Sequence, residues 1–130
     1  MKTELIKKAM SARENAYAPY SRFKVGAALL CEDGSIFTGF NIENKSYPAT
    51  MCAERTALYS AIGQGHKKFK AIAVIGSSPE PCYPCGICRQ VFSEFCDGEF
   101  IFYICSEDGS CVEKTFDEIL PYTFSFTTNN

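Results

Sequence analysis

Residues 69–75, Phe-Lys-Ala-Ile-Ala-Val-Ile, are apolar at every position but one. A strand of that make-up is buried on both faces. It needs a layer of structure above and below it, and that demand narrows the fold more than any other feature of the chain. The neighbouring segments supply those layers. From about Thr3 to Ala16, Leu5, Ile6, Ala9, Met10, Ala12 and Ala16 recur at helical spacing. Pro19 ends this helix by biasing Ala18 away from the helical region. Cys52 to Ile62 repeats Ala, Leu and Ile at the same period and stops at Gly63-Gln64-Gly65. Gly86 to Phe95 reads as a third helix, stopped near Asp97-Gly98. Lys24–Leu30 and Ile36–Ile42 read as strands on either side of the turn Glu32-Asp33-Gly34-Ser35. Phe100–Cys105 is a further strand, and another follows the turn at Glu107-Asp108-Gly109 in one reading. A short helix at about Phe116–Leu120 ends at Pro121. Helices alternating with strands predict an α/β fold, a three-layer α/β/α sandwich around a mixed β-sheet.

The 130 residues hold no repeat, low-complexity tract or linker, so one domain over residues 1–130 is expected. Area scaling buries about two-thirds of the surface of an unfolded chain of this size, enough for a core without staples. Net charge is −2, from 13 Lys+Arg against 15 Asp+Glu. A polynucleotide binder carries a basic surplus, so no nucleic-acid partner is expected. No run of apolar residues reaches membrane-spanning length, so no membrane partner is expected either. Met1 to Glu14 is charged and lacks the apolar core of a secretion signal, which leads to an expectation of a cytoplasmic protein.

Eight cysteines, at 31, 52, 82, 85, 88, 96, 105 and 111, are many for such a compartment. Kept reduced, they are either buried filler or metal ligands, and spacing decides which. Cys52 opens the second helix, and Cys85-Gly-Ile-Cys88 opens the third. Helix N-termini carry partial positive charge and stabilise thiolates. Crossover helices bring such ends to one edge of a sheet, which gathers three thiolates around one point. Three protein ligands with an open fourth position is the pattern of catalytic rather than structural zinc, here one Zn²⁺ per chain. Glu54 lies in the same first turn as Cys52, placed to move protons without being a ligand. A ligand-x-Glu pair followed by Pro-Cys-x-x-Cys is the signature of zinc deaminases. The two halves here are Cys52-Ala-Glu54 and Pro84-Cys-Gly-Ile-Cys88. Three thiolates outweigh Zn²⁺ by one charge, so Arg55 and Arg89 are expected to draw charge off the sulfurs by hydrogen bonds.

Other readings of the cysteines exist. Cys82, Cys85 and Cys88 begin like an iron–sulfur motif, but a Phe stands where the next cysteine belongs. A closed four-cysteine structural site would use Cys82 and leave Glu54 without purpose. Cys31, Cys96, Cys105 and Cys111 read as buried filler, and His66 as an exposed loop residue.

Five blocks carry a family resemblance: Tyr20-Ser-Arg-Phe-Lys-Val-Gly-Ala-Ala-Leu29, Asn41-Ile-Glu43, Tyr47-Pro-Ala-Thr-Met-Cys-Ala-Glu-Arg55, Pro84-Cys-Gly-Ile-Cys-Arg-Gln90 and Leu120-Pro-Tyr-Thr-Phe124. In that order they resemble the small zinc-dependent cytidine deaminases of pyrimidine salvage. The resemblance implies hydrolytic deamination of cytidine and deoxycytidine to uridine and deoxyuridine with release of ammonia. It also implies a homotetramer. Carried over by residue, it makes Cys52, Cys85 and Cys88 the zinc ligands and Glu54 the proton shuttle for water attacking C4. Asn41 and Glu43 would hold the ribose 3′-hydroxyl, and Phe23 and Ala53 would border the substrate. Tyr47 and Phe124 would approach a neighbouring subunit's site, with Phe126 an alternative to Phe124. A deaminase of another aminopyrimidine nucleoside would share this fold and zinc site, whereas a zinc module that only binds would not need Glu54.

Overall fold

The computed structural model describes residues 1–124. Helix α1 (Lys2–Arg13) precedes strands β1 (Gly26–Cys31) and β2 (Ile36–Phe40), and a 3₁₀ turn spans Tyr47–Ala49. Helix α2 (Ala53–Gly63), strand β3 (Phe69–Ile75) and helix α3 (Gly86–Ser93) follow. Strands β4 (Ile101–Cys105) and β5 (Cys111–Thr115) and helix α4 (Phe116–Ile119) complete the described chain. The sheet order is β2-β1-β3-β4-β5. β3 and β4 are parallel and the other neighbours antiparallel, so the sheet is mixed as expected.

The two-sided burial read from residues 69–75 is what the sheet shows. Ala27, Leu29 and Cys31 of β1 and Ile72 and Val74 of β3 face a core shared with α2, α3 and α4. Ala28 and Leu30 with Ala71, Ala73 and Ile75 face α1 through Leu5 and Ala9. Alternate side chains of one strand thus enter opposite cores. The α2–α4 side is the bulkier, with Phe92, Phe100, Phe102 and Phe116 ring against ring. Each fully buried phenylalanine there stabilises the fold by about 2–3 kcal/mol. On this side α2 sits directly on the sheet at Gly39, where a Cβ would meet the carbonyl oxygen of Ala53 and the amide of Ala57, each at 2.5 Å. That close approach fixes the height of the first turn of α2 above β2.

Element boundaries differ from the sequence reading where long-range pairing intervenes. α1 stops at Arg13 instead of Ala16 because the Tyr17 amide donates to Asn41 O and Tyr17 pairs with Ile42. β1 starts at Gly26 instead of Lys24 because the Val25 amide donates to the Asn41 side chain. β2 ends at Phe40, and Ile42 instead pairs with Met51, which ties both ends of the following loop. The optional last strand is present as β5.

Candidate active site

Cys52 and Cys85 are the residues at which α2 and α3 begin, both with extended backbone just ahead of the first turn. Cys88 is one turn into α3 and fully buried. The three Sγ atoms lie within 4.8 Å of one another. Cys52 Sγ and Cys85 Sγ are 3.7 Å apart. Two thiolates each about 2.3 Å from a tetrahedral zinc are about 3.8 Å apart, so the pair fits that ion. The Cys88 amide donates to Cys85 Sγ at 3.4 Å, and Arg55 Nη2 donates to Cys52 Sγ at 3.4 Å. These donors hold negative charge on sulfur, as a ligating thiolate needs. The Cys52 thiol is pushed down to about 5, first by hydrogen bonding with Cys88 and then by Arg55 and Cys85, against the opposing effect of burial. The same pairing with Cys52, with burial, drives Cys88 up. Arg55 Nε is buried without a partner among the described residues, while its Nη2 is spent on the cysteine cluster.

Glu54 lies in the first turn of α2 and is 4% exposed. Burial pushes its carboxyl up to about 7; the charge on Cys52 adds to the rise and Arg55 opposes it. A carboxyl in that range both takes and gives protons near neutral pH. It borders a cavity of about 230 Å³ with Phe23, Asn41, Cys52, Ala53 and Cys85. Five of the expected site residues besides Glu54 thus converge on one space. The Phe23 ring reaches its wall because Gly76 leaves room: a Cβ there would meet Phe23 Cζ at 2.7 Å and Cys82 Sγ at 3.1 Å.

Asn41 and Glu43, expected to act as a pair, border different spaces. Asn41 borders the Glu54 cavity, whereas Glu43 lines a neighbouring one of about 280 Å³ with Tyr20, Ser21, Tyr47 and Thr50. Thr50 borders both. Both side chains brace the segment that carries Phe23. Asn41 Nδ2 donates to Phe23 O, and its Oδ1 accepts from the Val25 amide. Glu43 accepts from the amides of Tyr20 and Ser21 and from the Ser21 hydroxyl. Ser21 and Tyr20 thereby hold the Glu43 carboxyl below the usual carboxylate range. Tyr47 is 75% exposed, its ring edge-on to Tyr20, and Phe124 is 72% exposed. Phe126 lies outside the described residues.

Arg89 departs from its expected role. Its Nε donates to Pro84 O and its Nη1 to Ile119 O, each at 2.9 Å. It braces the backbone before Cys85 against the end of α4. The charge-balancing contact to sulfur belongs to Arg55. Cys82 lines the cavity but stands outside the donor cluster, and burial pushes its thiol up to about 12. Among the described residues no closed four-cysteine arrangement is formed. Val25, Thr50, Met51 and Tyr83 also border the cavity, unforeseen from sequence. Each lies within two residues of Phe23, Cys52 or Pro84.

Residues 1–104 match the family described as the cytidine and deoxycytidylate deaminase zinc-binding region. The chain belongs to this deaminase family. Its similarity extends over nearly its whole length. A cytidine deaminase of Sporosarcina psychrophila is 50% identical over 122 residues, covering 94% of this chain and 90% of that one. One from Halalkalibacterium halodurans is 51% identical over 121 residues, 93% and 92% of the two chains. The crystal structure of a cytidine deaminase from Burkholderia pseudomallei superposes with a TM-score of 0.91 at 45% identity, covering 95% and 99%. As a member of a zinc-binding deaminase family, the chain has at Cys52, Cys85 and Cys88 a site for one zinc ion. No helix among the described residues is long and apolar enough to cross a membrane.

Proposed function

We propose that this deaminase hydrolyses cytidine and deoxycytidine, replacing the C4 amino group with oxygen and releasing ammonia. The observation that carries the reading is Glu54. A buried carboxyl with a proton affinity near neutrality faces a cavity whose wall also holds two of the three clustered thiols. Cys52, Cys85 and Cys88 would hold the zinc, which supplies Lewis acidity that brings the acidity of a water toward neutral pH. Glu54 takes a proton from the attacking water and delivers it to N3 of the pyrimidine. It then carries the second proton to the amine leaving C4, so water and nucleoside become uridine and ammonia. Arg55 keeps the Cys52 sulfur anionic. Phe23 and Ala53 border the base and sugar. The Asn41 side-chain amide, with one N–H used on Phe23 O, has its second N–H for the ribose 3′-hydroxyl. Glu43 shares that hydroxyl or, through Ser21, fixes the segment that meets it.

The 130 residues act as a single deaminase domain. Tyr47 and Phe124, both exposed, meet a neighbouring subunit in a homotetramer. A monomer cavity of about 230 Å³ falls below the roughly 300 Å³ at which ligand pockets begin, in keeping with walls shared between subunits. Eight free thiols suit the reducing cytoplasm. A net charge of −2 suits a nucleoside substrate rather than a nucleic acid.

The test is loss of cytidine absorbance and release of ammonia on adding zinc-loaded protein, with and without a chelator. Chelator-sensitive turnover with one tightly held zinc per chain is the expected result. Zinc-loaded protein that leaves cytidine and deoxycytidine intact would overturn the reading.

A further inference from the structure

Helix α2 has a second cluster of metal-ligating side chains, at its other end. Cys31 closes β1, Asp33 sits in the β1–β2 turn, and His66 follows α2 just past Gly65, whose φ is +93°. One Sγ, one carboxylate oxygen and one ring nitrogen from these residues all lie within 4.8 Å of one another. His66 Nδ1 is 3.6 Å from Asp33 Oδ2. That is too long for a hydrogen bond. It is close to the separation of about 3.3 Å kept by two ligands that are each about 2.0–2.1 Å from a tetrahedral zinc.

Each group is held so that one donor atom points inward. Asp33 Oδ1 is occupied by the Ser35 amide at 2.9 Å, which leaves Oδ2 for His66. The His66 amide donates to Ala61 O at 3.0 Å, and its ring lies edge-on to Phe37 with centroids 5.0 Å apart. Cys31 is 1% exposed, and the β1–β3 ladder shifts register between Leu30 and Cys31. The carbonyl end of α2 beside His66 favours a cation. Asp33 is exposed, so water has access to complete a coordination shell. A surface ion pair beside a buried filler cysteine would need none of this convergence.

We propose that Cys31, Asp33 and His66 form a second zinc site, distinct from the three-thiol site at the start of α2. Sulfur, imidazole and carboxylate together select a borderline cation such as Zn²⁺ over Ca²⁺ or Mg²⁺. The ion ties the β1–β2 turn to the end of α2. An eleven-residue helix is about 16 Å long, so this clip acts on stability and not on the reaction.

The experiment starts from protein carrying one zinc per chain, titrated with Zn²⁺ and read by metal content and unfolding temperature. Wild type is expected to take up a second equivalent, with a rise of several degrees in unfolding temperature. His66→Ala and Asp33→Asn each keep the first zinc and the wild-type rate, and lose both the second equivalent and the rise. In wild type carrying one zinc per chain, added Co²⁺ gives a sulfur-to-cobalt absorption band in the near ultraviolet, and Cys31→Ser abolishes it. Uptake by His66→Ala equal to that of wild type would overturn the proposal, as would no second equivalent in wild type or a cobalt band that persists in Cys31→Ser.

Discussion

The two ends of α2 set the same side chain in opposite surroundings. At the start of the helix, three thiols meet a helix N-terminus and the Arg55 guanidinium. Cys52 is pushed down to about 5 there, led by its hydrogen bond with Cys88. At the far end, Cys31 is the one thiol in its cluster. Burial, and then the charge of Asp33, push it up. The first cluster borders a cavity with a buried carboxyl in its wall, while the second is wedged between a turn and a helix end. The character of a cysteine here follows from the donors aimed at its sulfur and the helix end it sits on. Residue type alone does not distinguish the two.

Glu54→Gln is expected to lower kcat by about 10²–10⁴-fold while leaving zinc content unchanged. Loss of zinc along with activity would make Glu54 part of the metal site instead of the proton path. The next largest effect separates the two arginines. Arg55→Ala removes the donor to Cys52 and should weaken zinc retention or turnover by about 10–100-fold, with Arg55→Lys partly restoring it. Arg89→Ala removes two carbonyl contacts and should show first in urea unfolding, by about 1.5–3 kcal/mol, with zinc still held. Equal zinc loss in both variants would contradict the assignment of the sulfur contact to Arg55.

The smallest effect is a pH dependence at Glu43. Its folded carboxyl is held below the unfolded value of about 4.3 by Ser21 and Tyr20. The resulting stabilisation is fully present above that value and fades as pH falls through the lower folded value. Glu43→Gln should flatten the acid side of the stability curve below about pH 4.3, where this carboxyl titrates, and leave stability near neutral pH little dependent on pH. An unchanged acid limb would mean that the Ser21 contacts do not persist in solution.

Much of this protein is written locally. Residues 69–75 declare a strand buried on both faces because seven residues with six apolar side chains have no solvent-facing side. Cys52 and Cys85-x-x-Cys88 declare a site because a cysteine at a helix start has a local physical meaning, and Glu54 shares the turn. What depends on partners distant in sequence is not written that way. The last residues read as part of α1 leave the helix because Tyr17 pairs with Ile42. Arg55 and Arg89 look alike beside their cysteines, yet only the packing of α4 shows that Arg89 faces Ile119 O. Asn41 and Glu43 stand two residues apart, but each holds a different stretch of the segment from Tyr20 to Val25, and they border different cavities. His66 reads as a loop residue until the sheet and α2 bring it to Cys31, thirty-five positions away. Side-chain type and period are properties of a few neighbouring residues, so the sequence alone determined the layers, the three thiols and the carboxyl. Direction and company depend on contacts between remote segments, so it takes the folded chain to settle which charge meets which sulfur.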